Sequence, residues 1–175
     1  QGRPLYEGKD FMSGRVHPED WDRLYPRLVE ALRGVVTGAE EAVYCPLTLG
    51  GHVDHVIVRR AVEAVCPPAV VRYYEDYPYA AKDPSALAPY LAGGADGWRP
   101  VLVALTPEEI EARVEAILAY RSQLFALFGE PPADPRAAEA SPPPAVPPAV
   151  VRDRVRDYIA RVGGERIWER AAQVR

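Results

Sequence analysis

The chain has 175 residues, ordinary apolar and charged fractions and a formal net charge of -4, which suits one domain with its own core and argues against the basic patch that nucleic-acid binding requires. No apolar run approaches the roughly 20 residues of a spanning helix, and no basic start followed by an apolar stretch marks an export signal. No nucleic-acid or membrane partner is therefore expected, and the expected location is cytoplasmic.

Residues 1–16 read as irregular. Pro18, with Glu19 and Asp20 beside it, marks a helix start. Leu24, Leu28, Leu32 and Val35 follow at helical spacing, so a helix or helix pair broken near Pro26 is predicted, ending at Gly34 and Gly38. The run Ala42–Leu47 is short, apolar and bounded by turn residues, as a buried strand would be. After Gly50 and Gly51, a helix from His52 to Val65 has one apolar face of Val53, Val56, Ile57, Ala61 and Ala64, and Cys66-Pro67-Pro68 stops it. Val70–Tyr74 and Trp98–Leu105 are two further strand-like runs. Thr106-Pro107-Glu108-Glu109 combines an N-cap, a proline and a glutamate three residues after the cap. The helix it opens is expected to reach Phe128, with Gly129 as its stop. Residues 130–148 are rich in Pro and Ala and read as a loop or linker. A last helix from Val150 to Val162 and a tail through Trp168 close the chain. Cys45 and Cys66 lack metal-binding spacing and read as buried thiols; a bridge between them is the less favoured alternative.

Strands alternating with helices predict an α/β fold, with a mostly parallel sheet flanked by helices. Ligands in such sheets bind outside the carboxyl ends of the strands, and the Gly50-Gly51-His52 turn falls at the end of the first one. His52-Val53-Asp54-His55 holds two of only three histidines in the chain. Their spacing puts both rings on roughly one face of a helix start. The positive end of the helix dipole there disfavours imidazolium and favours the neutral ring that binds metal. Asp54 in the same turn could orient a ring nitrogen. Set against this, a His-x-x-His pair alone is usually an ordinary helix start. A catalytic zinc also takes three protein ligands, and no third histidine or cysteine cluster is evident.

Four segments carry a family resemblance. Gly50-Gly51-His52-Val53-Asp54-His55, followed by Val58-Arg59-Arg60-Ala61, resembles the second motif of the PIG-L/LmbE-like (GlcNAc-PI de-N-acetylase type) deacetylases. Tyr73-Tyr74-Glu75-Asp76-Tyr77-Pro78-Tyr79-Ala80 is similar to the stretch that follows it in one bacterial branch. Ala119-Tyr120-Arg121-Ser122-Gln123 with Leu127-Phe128, and Gly164-Glu165-Arg166-Ile167-Trp168, resemble that branch too. The resemblance implies a Rossmann-like deacetylase with one zinc and a small N-acetylated, sugar-like substrate. It implies His55 as a zinc ligand and His52, supported by Asp54, as the residue that stabilises the transition state or moves a proton. Tyr74, Glu75 and Asp76 would line the substrate pocket.

The chain departs from that family at its first motif, Ala-His-Pro-Asp-Asp-Glu, which supplies the other two zinc ligands and the general base. The nearest match is Val16-His17-Pro18-Glu19-Asp20. No apolar strand precedes it, and it stands far closer to His52 than the family's two motifs stand to each other. The expectation is thus the C-terminal portion of such an enzyme, with the N-terminal strand, motif and helix missing. Residues 1–129 would belong to the α/β domain, 130–148 to the linker and 149–175 to the closing helix and tail of the same domain. The parent protein would be a zinc-dependent hydrolase of non-peptide amide bonds, and this chain alone would be inactive. The alternative is a non-catalytic carbohydrate- or partner-binding module on the same fold.

Overall fold

The computed structural model describes residues 4–8, 10–36, 42–91, 97–129 and 144–170. A π-type turn over Asp20–Leu24 runs into helix α1, Tyr25–Val35. Pro26 stands where the π-type turn passes into α1, and its missing N–H removes one backbone donor from the helical run there. The break anticipated there is a change of helical pitch. Strand β1 is Val43–Pro46 and helix α2 is Val53–Val65. Strand β2, Val71–Tyr74, alternates buried and half-buried residues, as a strand in a sheet must. Two short helices follow, α3 at Tyr79–Lys82 and α4 at Ala88–Leu91, and then strand β3 at Trp98–Val103.

Thr106 caps helix α5, Pro107–Leu118, through a complete capping box with Glu109. The single helix expected as far as Phe128 is interrupted, and α6 covers only Leu124–Phe128. Positions 119–123 are all exposed, so no apolar side chain holds the chain helical across them. Helix α7, Pro148–Val162, ends at Gly163 in the left-handed region with φ +87°. The segment expected as a tail is strand β4, Glu165–Arg170. The expected linker over 130–148 falls mostly outside the described residues, as do Gly38 and the last five positions.

The four strands form one sheet in the order β1-β2-β4-β3. β1 and β2 are parallel, with Val43 opposite Val71 and Cys45 opposite Tyr73. β4 is antiparallel to β2, with Tyr73 opposite Trp168 and Tyr74 opposite Ile167. The sheet is mixed and flanked by helices, as the α/β expectation requires.

The chain divides into two compact units, Gln1–Val101 with Arg166–Arg175, and Leu102–Glu165. In the first, α2 packs on β1 and α1 packs on α2. Its core holds Cys45, Leu47, Ile57, Ala61, Val71, Tyr73 and Trp168, all fully or almost fully buried. Both cysteines are buried and unbridged, and burial pushes the Cys45 thiol up to about 12. In the second unit α5 packs against α7 around buried Val114, Val151 and Val155. Arg152 and Arg156 reach across to Glu111 at 3.2 and 2.5 Å, which lowers that carboxyl's proton affinity. No helix among the described residues is long and apolar enough to cross a membrane.

Candidate functional site

Because β1 and β2 run parallel, their carboxyl ends open on the same edge of the sheet. The residues just beyond those two ends meet there. Past β1 the backbone enters the left-handed region at Thr48, Gly50 and Gly51, with φ of +70°, +81° and +69°. A Cβ on Gly50 would stand 2.5 Å from the Tyr79 ring, so only glycine lets the chain turn so close to α3. The Arg59 guanidinium reaches back from α2 to hold this loop, donating to the Leu47 carbonyl at 2.8 Å and to Glu63 at 2.9 Å.

The turn delivers His52 to the N-cap of α2. Its Nδ1 accepts the Asp54 N–H at 3.2 Å, closing the first turn of the helix. His55 follows one turn on, and the two imidazole rings lie side by side with centroids 5.2 Å apart. Asp54 points outward, with three-quarters of its side chain exposed and its carboxylate 3.8 Å from His52 Nδ1.

Past β2, the Asp76 side chain is wholly buried. One of its oxygens accepts the Leu49 N–H at 2.8 Å. The other stands 2.5 Å from Nδ1 of His55. Glu75 turns the opposite way and accepts the indole N–H of Trp168 at 2.7 Å and an N–H of Arg166. Tyr74 is half-buried and lies opposite Ile167 on β4; burial raises its hydroxyl's proton affinity. The structure thus brings His52, His55 and Asp76 together, leaves Asp54 at the rim and turns Glu75 toward β4.

An N-terminal strap borders this cluster. The Gly14 N–H donates to the Gly51 carbonyl at 2.7 Å, and the Phe11 ring lies 5.3 Å from that of His52. His17 and Asp20 are engaged locally. Asp20 accepts the Tyr6 hydroxyl at 2.6 Å, and His17 Nδ1 accepts the Glu19 N–H at 3.2 Å. Phe11 and the Arg59 support have no local sequence signature. Asp76 had one, because it follows β2 as His52 follows β1, at the edge where α/β sheets gather ligands.

A catalytic zinc takes three protein ligands and an open position. His52 and His55 offer two ring nitrogens once their Nδ1 atoms are engaged. Among the described residues no group of three or more His, Cys, Asp or Glu side chains is placed to hold a metal ion. The residues described do not by themselves fit a complete zinc site.

No protein-family model matches the chain, and no curated protein matches it. Among solved structures, the chain is similar to the zinc-inhibited form of teicoplanin deacetylase Orf2, with a TM-score of 0.59 and 21% identity over 91% of this chain and 57% of that one. It is also similar to a deacetylase–bog complex from the biosynthesis pathway of teicoplanin, with a TM-score of 0.60 and 21% identity over 98% of this chain and 63% of that one. The chain therefore has the fold of these deacetylases and spans about three-fifths of their length.

Proposed function

We propose that this chain carries the histidine half of a metal-dependent N-deacetylase of the PIG-L/LmbE-like type, acting on a small N-acetylated, sugar-like substrate. The observation that carries the reading is the pair of adjacent imidazoles at the carboxyl edge of a deacetylase-like sheet, one of them seated on a buried carboxylate. In this reading His55 contributes one ligand to a zinc ion whose other ligands lie outside the described residues. His52 faces the reacting amide, with Asp54 beside it at the rim. Tyr74, partly exposed, borders the substrate, while Glu75 and Asp76 hold the wall of the pocket from inside.

Two imidazoles without a third ligand give weak metal affinity. We expect zinc binding no tighter than about micromolar, measured by calorimetry, with His55→Ala weakening it at least about tenfold, roughly the loss of one ligand nitrogen. Unchanged affinity in His55→Ala would remove the metal reading. Nanomolar, one-to-one binding would instead mean that the chain holds a full ligand set.

The missing third ligand among the described residues also favours a second reading, a module that binds an N-acetylated sugar without cleaving it. Calorimetry of an N-acetylglucosamine derivative with and without zinc separates the two: binding that needs zinc and is lost in His55→Ala supports the deacetylase reading. Saturable binding that is independent of zinc and of His55 selects the module.

A further inference from the structure

Asp76 and His55 belong to different segments, and their contact is more specific than a chance ion pair. Asp76 Oδ1 and His55 Nδ1 are both buried from water, and neither makes a hydrogen bond of ordinary angle, to each other or to any other group, among the described residues. They stand 2.5 Å apart. Two bare lone pairs repel at that distance, and a ring proton on Nδ1 turned onto the carboxylate satisfies both buried atoms at once. The second Asp76 oxygen is fixed by the Leu49 N–H, so the carboxylate cannot rotate away. A third of the His55 side chain nevertheless remains exposed. With Nδ1 buried, that exposure falls on the rest of the side chain.

We infer that Asp76 is a positioning residue that locks His55 as the Nδ1–H tautomer and presents Nε2 as a bare acceptor toward the carboxyl edge of the sheet. The carboxylate accepts the Nδ1 proton, which leaves the Nε2 lone pair as the ring's only basic site. The assignment rests on the reading that His55 works in this site. It adds which nitrogen works and what decides it. Whatever occupies the edge beside His55, an electrophilic ion or a proton on its way to a substrate nitrogen, meets a lone pair rather than an N–H.

Asp76→Asn tests this sharply. The Leu49 N–H still needs an acceptor, so the asparagine carbonyl takes that place and its NH2 faces His55. An NH2 there donates to Nδ1, and the ring proton moves to Nε2. The same substitution beside a catalytic histidine in serine proteases yields the wrong tautomer by this logic.

The experiment is a long-range proton–nitrogen correlation spectrum of the nitrogen-15-labelled chain, recorded with the imidazoles neutral. The chain has three histidines, so His17→Gln and His52→Gln suffice to identify the His55 signals. We expect Nδ1–H in the parent chain, favoured at least about tenfold, as a charge-assisted hydrogen bond warrants. Asp76→Asn should give Nε2–H, and Asp76→Ala the average of an unrestrained ring. Nε2–H or an unrestrained average in the parent chain overturns the assignment, and that spectrum decides the matter even where a variant fails to fold. An unchanged tautomer in a folded Asp76→Asn overturns it as well. A locked Nδ1–H ring in a chain whose zinc affinity is unchanged by His55→Ala keeps the assignment and removes the deacetylase reading. The opposite tautomer in a chain that binds zinc through His55 removes the assignment and keeps the reading.

Discussion

Glu75 is a buried carboxylate that faces β4, and the Trp168 indole is one of its donors at 2.7 Å. Trp168 is itself completely buried, with Tyr90 5.7 Å away. Trp168→Phe keeps an aromatic ring but removes the N–H, so this oxygen loses one of its donors while Arg166 remains. We expect a loss of about 2 kcal/mol, the usual worth of a hydrogen bond to a charged group, read from urea unfolding with the m-value unchanged. A loss below about 0.5 kcal/mol, the range of neutral surface changes, would mean that Glu75 finds another donor. This contact also explains part of the Tyr-Glu-Asp-Tyr segment. One carboxylate braces a neighbouring strand and the next braces a histidine, because successive side chains leave the chain on opposite sides.

Among the elements, those with a local cause were legible in the sequence. The capping box at Thr106 and Glu109 is present as its spacing implied. Helix α2 begins and ends where Gly51 and Cys66-Pro67 imply, with His52 as the cap. Thr106→Ala should weaken α5 by about 1 kcal/mol, seen as faster amide exchange over its first turn and not over α7. Uniform acceleration across both helices would show the cap to be global rather than local. Elements whose cause lies elsewhere in the chain were not legible. β4 is highly charged, with Glu165, Arg166, Glu169 and Arg170 among its six residues. It is a strand because β2 offers it an edge and because Trp168 and Ile167 have a core to enter. The split between α5 and α6 was equally hidden, because it depends on what Tyr120 and its neighbours fail to touch. At the site, the pairing of His52 with His55 followed from spacing. Asp76 was legible as a residue at the sheet's carboxyl edge, but its contact with His55 required knowing which strands lie side by side.

For the molecule as a whole, the chain leaves its first unit along β3 and returns along β4. The first unit is therefore assembled from two ends of the sequence. Deleting residues 165–175 should unfold it, since the deletion removes fully buried Trp168 and buried Ile167 and bares one edge of β2. Loss of near-ultraviolet circular dichroism with retained far-ultraviolet helix signal is the expected result. A deletion variant with native near-ultraviolet signal would show that β4 is an accessory strand. The deacetylase-like fold is carried by this two-ended arrangement, so the proposed function depends on the last strand even though no site residue stands on it.

The side chain that closes the first turn of α2 is the same one that stands beside His55. An alanine at position 52 would fray the helix and empty the site at once, and a dead protein would not reveal which loss had killed it. Asparagine is among the preferred residues for starting a helix and carries no imidazole. His52→Asn therefore separates architecture from chemistry at the one position where the fold has fused them.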